Sequence, residues 1–125
     1  MDTDRPFTAA GRLRSVRYAV AGIAYMLRTQ HNAWLHAAAS LAVVVVGLAL
    51  GVSAADWRWL IAAMALVWIA EAMNTAFEHL CDVVSPEFHA SVQKSKDVAA
   101  GAVLLAAIAA AAIGASVLVP YLGAR

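Results

Sequence analysis

Polar residues interrupt three long apolar stretches only rarely, and not at random. Crossing a bilayer takes about 20 mostly apolar residues, since a core of ~30 Å is covered at ~1.5 Å per helical residue. The stretches 33–52, 57–81 and 98–122 meet that length. The first has only His36 and Ser40 as polar interruptions, and the third carries no charge. The predicted connections are 53–56 and 82–97, and Ser85-Pro86 should close the middle helix, because the residue before proline disfavours helical backbone. Upstream, residues 8–29 place Leu13, Val16, Val20, Ala24 and Leu27 at helical spacing, with Arg12, Arg14 and Ser15 off that stripe. This reads as an amphipathic helix on the cytoplasmic membrane surface; packing on the bundle is the alternative. The expected architecture is an all-α membrane protein of one domain, 1–125, with three transmembrane helices and an amino-terminal amphipathic surface helix.

Composition supports lipid as the solvent. Apolar types make up 63% and charged residues 14%, against about 45–50% and 25% in ordinary soluble domains. Mean hydropathy is +0.73. A formal charge of +1 offers no bulk field to recruit nucleic acid, so no nucleic-acid partner is expected. The lone cysteine, Cys81, excludes an intrachain disulfide and reads as a small apolar helix residue. The first 30 residues, with five arginines and no clean apolar run, do not read as a signal peptide. Those arginines (Arg5, Arg12, Arg14, Arg17 and Arg28) fall on the same side as Lys94 and Lys96, leaving Arg58 and Arg125 opposite. The bias places the amino terminus and the second connection in the cytoplasm and the carboxyl terminus outside, with Trp57 and Trp59 at the outer interface.

The middle span carries the chemistry. Glu71, Asn74, Glu78 and Asp82 project at about 0°, 300°, 340° and 20° on a helical wheel, with Thr75 bordering them at about 40°. Counted from Trp57, Glu71 lies about 21 Å deep and Glu78 about 31 Å deep, so the row runs from the inner leaflet to the cytoplasm. An acidic residue near a helix centre costs about 2.5–3.5 kcal/mol on insertion scales, which favours a functional role over a seam of structural hydrogen bonds. Candidate partners follow in Glu87, His89, Lys94, Lys96 and Asp97. A lysine suits phosphate, and a carboxylate suits Mg²⁺ or a ribose hydroxyl. Neither GxxxxGK[ST] nor GxGxxG occurs, so nucleotide chemistry here would need a fold unlike the soluble ones.

The run EAMNTAFEHLCD at 71–82, followed by KDVAAGAVL from Lys96, resembles the prokaryotic diacylglycerol kinase/undecaprenol kinase family. The resemblance extends from about Gly11 to Leu122 and includes NAWLH at 32–36 and SPEFH at 85–89. It implies a homotrimer in the bacterial cytoplasmic membrane, with active sites shared between neighbours, ATP as phosphoryl donor and Mg²⁺ as cofactor. By position, Glu71 resembles the general base for the lipid hydroxyl, Asn74 its orienting residue and Glu78 a metal ligand. Glu87, His89, Lys96 and Asp97 resemble nucleotide contacts, as does Tyr18 on the first helix, and Ala100 falls with the substrate contacts. Two departures stand out. Gln30 replaces a glutamate that helps hold metal and nucleotide, and the arginine expected near Gly11 appears as Arg12, which turns a substrate-binding side chain by about 100°.

The resulting expectation is phosphoryl transfer from ATP to a membrane-embedded alcohol. The wording AFEHLCDVVSPEFH favours undecaprenol over 1,2-diacylglycerol. An intramembrane glutamate also suits a small proton-coupled transporter, which would place carboxylates at the midplane without a boundary Lys-Asp pair. A purely structural membrane subunit is the third reading.

Overall fold

The computed structural model describes residues 8–123. Arg5 and Arg125, used in the charge count, lie outside the described residues. Four helices follow one another: α1 (Ala9–Thr29), α2 (His31–Leu50), α3 (Ala54–Val84) and α4 (Ala90–Gly123). The last three are long and apolar enough to cross a membrane. Their outward positions, such as Leu41, Ile69 and Leu105, leave large apolar side chains exposed, as helices bathed in hydrocarbon do.

Local chemistry sets each boundary. Thr8 caps α1 by accepting the Gly11 amide at 3.1 Å. Gln30 is extended (φ −103°, ψ 116°) and separates α1 from α2. At the end of α2, Gly51 is left-handed (φ 67°). Its N–H and that of Val52 donate to Leu48 and Gly47 carbonyls at 3.2 and 3.1 Å, the paired closure that glycine at this position allows. Ser53 then caps α3 by accepting the Asp56 amide. α3 stops at Val84, before Ser85-Pro86, as the proline predicts.

Around the α3–α4 connection the helices run beyond the predicted spans. α3 continues three residues beyond Cys81, and α4 begins at Ala90 rather than Val98, so Lys94, Lys96 and Asp97 sit on a helix. Hydropathy marks only the part that lipid can hold, whereas backbone hydrogen bonding continues past it. His89 helps the early start, since its Nδ1 accepts the Ser91 amide at 3.2 Å.

α3 and α4 pack antiparallel along their length, with α2 against both. Val52, Leu60 and Val117 form the closed core near the α2–α3 turn, and Trp57 and Tyr121 pack against it. There the Tyr121 hydroxyl donates to Asp56 Oδ2 at 2.6 Å and accepts the Ser53 amide at 3.0 Å. The end of α4 is thereby tied to the start of α3. α1 meets the bundle at its far end, where Met26 is buried and Tyr25 stacks at a tilt on His79, ring centroids 5.3 Å apart. Because the Tyr121 clamp includes a charged acceptor, Tyr121→Phe should lower unfolding stability by about 1–3 kcal/mol. Thermal unfolding in detergent micelles measures this, with an unchanged helical content as the control.

Candidate active site

The acidic row of α3 faces inward. Glu71 is only 1% exposed, and Asn74 and Thr75 are also buried. Glu78 is half-buried and Asp82 exposed, so the row grades from enclosed to open toward its carboxyl-terminal end. A helix with one polar stripe in lipid turns that stripe toward its neighbours, because hydrocarbon offers no hydrogen bonds.

Two openings meet beside it. A cleft of ≈ 260 Å³ between α2, α3 and α4 is lined by Asn32, His36, Asn74, Glu78 and Ala100, with aliphatic residues of α4 completing the wall. The second, an apolar groove of ≈ 340 Å³, runs from His36 and Ala107 past Val67, Leu60 and Gly114 to Leu118. His36 and Ala107 line both. The cleft therefore carries a cluster of polar side chains on a mostly apolar wall, and the groove is almost wholly apolar.

Within the cleft, Asn74 Nδ2 donates to Glu78 Oε1 at 3.2 Å, which fixes one carboxylate oxygen and leaves the other available. His36 Nε2 lies 3.5 Å from Glu71 Oε2. Among the described residues, neither Glu71 oxygen has a hydrogen-bond partner, and the same holds for Asn74 Oδ1 and Thr75 Oγ1. Buried polar atoms left unsatisfied usually mark a place where something else binds or reacts. His36 is itself braced by Trp68, whose ring meets it edge-on with centroids 6.4 Å apart. Trp68 in turn donates from Nε1 to Ser40 Oγ at 3.0 Å.

Not every candidate joins this cluster. Lys96 pairs with Asp82 at 2.9 Å at the carboxyl-terminal end of the row. Asp97 accepts the Gln93 amide at 2.9 Å on the same helix. Glu87 and His89 occupy the short turn between α3 and α4, both exposed. Gln30 stands in the break before α2, Tyr18 is 70% exposed on α1 and Arg12 lies near its start; none of the three lines the cleft. Ala100 does, facing Asn74 and Glu78 across the gap. The residue that sequence reasoning missed is His36, read only as a polar break in the first span. The signal was its distance from the α2–α3 turn, which matches that of Glu71 to within a helical turn.

Among the described residues, no three His, Cys, Asp or Glu side chains converge into a metal cage. Magnesium seldom uses one, being held by one or two carboxylates together with substrate phosphates. Glu78, with one oxygen fixed by Asn74, fits that limited role.

Comparison with known proteins now decides the class. The model of the prokaryotic diacylglycerol kinase family matches residues 17–118. The chain belongs to that family of small membrane lipid kinases. It is 41% identical over 115 residues to a diacylglycerol kinase of Synechocystis sp., covering 91% of this chain and 66% of that protein. It is 33% identical over 109 residues to an undecaprenol kinase of Bacillus subtilis, covering 87% of this chain and 89% of that one. Family and fold together make it a multi-pass membrane protein of the lipid-kinase type.

The orphaned atoms carry a stability prediction. An unpaired buried carboxylate is costly, and a buried hydroxyl without a partner gains nothing over a methyl group. Glu71→Gln should therefore raise the thermal midpoint in detergent, and Thr75→Val should leave it no lower than in the wild type.

Proposed function

We propose that the protein transfers the γ-phosphoryl group of ATP to the hydroxyl of a membrane lipid. The observation that carries this reading is the pair of openings that share His36, one bearing Asn32, Asn74 and Glu78 and the other almost wholly apolar. A lipid kinase must bring a soluble triphosphate and a hydrocarbon-bound alcohol to one depth, and phosphoryl transfer then demands mainly positioning and charge neutralisation. The triphosphate enters from the cytoplasmic end, where Lys96 supplies positive charge beside Asp82. Glu87 and His89, in the α3–α4 turn, and Asp97, next to Lys96, serve as its outer contacts, with Tyr18 of α1 and Gln30 as further nucleotide contacts. Magnesium, when bound, neutralises phosphate charge; Glu78 would hold it together with the phosphates. Glu71 supplies the negative charge that draws the proton from the lipid hydroxyl, and Asn74 orders the carboxylates beside it.

The functional unit is a homotrimer in the bacterial cytoplasmic membrane, amino terminus inside and carboxyl terminus outside, with α1 along the inner surface. Undecaprenol is the first acceptor on the residue run 76–89; 1,2-diacylglycerol is the second, on the 41% identity to a protein named for it. Family membership and the proximity of Lys96 to the acidic row favour a kinase over a proton-coupled transporter.

Purified protein in mixed micelles, given [γ-³²P]ATP and Mg²⁺, should move label into a lipid extract containing either alcohol, with the higher kcat/KM for undecaprenol. Glu71→Gln should reduce that transfer by about 10²–10⁴-fold while nucleotide binding stays near the wild-type level, as expected on losing a proton acceptor. Absence of label with both alcohols would remove the kinase reading.

A further inference from the structure

His36 of α2 and Glu71 of α3 face one another, with Nε2 3.5 Å from Oε2. One turn along the same two helices, Trp68 donates from Nε1 to Ser40 Oγ at 3.0 Å. His36 with Glu71 and Ser40 with Trp68 are successive pairs of one antiparallel register, so the second contact holds the first in place. The Trp68 ring also meets the imidazole edge-on, centroids 6.4 Å apart, which limits how that ring can turn. We propose that His36 is the positioning residue of the transfer: its Nε2–H donates to Glu71 Oε2 and thereby aims Oε1 at the lipid hydroxyl, whose proton Glu71 takes.

This rests on the kinase reading and deepens it. A base must present a lone pair to the proton it removes, and a carboxylate turns readily about its last bond unless something holds it. α3 holds its next acid in this way, for Asn74 donates to one Glu78 oxygen and leaves the other. At Glu71 the imidazole stands in the corresponding place. Its Nε2 and Glu71 Oε2 are both buried without a hydrogen-bond partner among the described residues, so closing the gap relieves two unsatisfied atoms at once. A shift of about half an ångström is enough. A neutral imidazole suits the task, since it orients the carboxylate without cancelling its charge, whereas a lysine or arginine there would make it a weaker base. The hydrogen bond at Nε2 also fixes the tautomer and leaves Nδ1 an acceptor.

His36 keeps its proton throughout. The lipid oxygen forms a bond to the γ-phosphorus as the bond from that phosphorus to the β,γ-bridging oxygen breaks, and ADP leaves with that oxygen. The hydroxyl proton passes to Glu71 Oε1 and is lost to water when the products leave. No oxidant or further co-reactant is needed.

His36→Leu and His36→Gln test this in the ATP-to-lipid transfer assay, beside wild type, Glu71→Gln and the double variant that joins His36→Leu to Glu71→Gln. Leu removes the donor, whereas Gln keeps an N–H able to reach Glu71. His36→Leu should lower kcat by about 10–10²-fold, the cost of a misaimed reacting group. The KM for ATP should stay within about twofold of the wild type, because the loss falls on the chemical step rather than on binding. His36→Gln should recover at least about fivefold over His36→Leu, and adding His36→Leu to Glu71→Gln should cost nothing further, since His36 acts only through that carboxylate. In the wild type, where no variant has to fold, solid-state NMR should place ¹⁵Nε2 of His36 within about 4 Å of ¹³Cδ of Glu71. The proposal is overturned if His36→Leu stays within about threefold of the wild-type kcat, if His36→Gln is as slow as His36→Leu, if the double variant is slower than Glu71→Gln, or if the two nuclei show no coupling. A wild type without transfer to either alcohol removes the kinase reading instead; an active wild type with an unaffected His36→Leu leaves that reading intact and removes only the role of His36.

Discussion

A carboxylate at hydrocarbon depth constrains everything else in this fold. Glu71 cannot face lipid, so α3 must turn its polar stripe inward, and α2 and α4 must close over it. Once α3 is oriented in this way, Asn74, Thr75 and Glu78 follow by helical periodicity, and Asp82 emerges where it meets Lys96. The end of the bundle at the α2–α3 turn is tied by different means, through the Gly51 closure and the Tyr121–Asp56–Ser53 contacts. Those contacts are well satisfied. The unsatisfied buried atoms gather instead around the acidic stripe.

That division between a saturated end and an unsaturated one is how stability and function are separated along the helices. Leu60 and its neighbours make a closed apolar core near the turn, where nothing needs to enter. Farther along, small residues such as Ala107 and Gly114 leave a groove open instead of filling it. On the proposed reading, the cleft on one side of His36 and the apolar groove on the other would let reactants of opposite solubility approach one point.

Much of this was legible in the sequence, and for identifiable reasons. Long charge-free runs mark helices that lipid can hold, and a row of acids at helical spacing must share a face whatever surrounds it. The proline after Ser85 gave the end of α3 within a few residues. The start of α4 was not legible, because a helix that passes from lipid into water keeps its hydrogen bonds while its hydropathy falls, and the His89 cap was invisible without the backbone. His36 escaped for another reason. Contact between residues distant in sequence depends on the register of the α2–α3 hairpin, and that register rests on the Gly51 closure and on Trp57 lying against Gly47, too close for a side chain there. The spread of Tyr18, Gln30 and Arg12 away from the cleft is likewise a matter of where α1 docks, which Tyr25 and Met26 determine.

The central claim is that the donor's terminal phosphate reaches the inward acidic face of α3 at the level of His36. Solid-state NMR of the protein in bilayers can measure it, by dipolar recoupling between the terminal ³¹P of a bound non-hydrolysable ATP analogue and ¹³C in the Glu71 carboxylate. A hydroxyl poised between them would place the two nuclei within about 6 Å, given ordinary hydrogen-bond and near-attack separations. A saturated analogue with no measurable coupling to Glu71 would contradict the account.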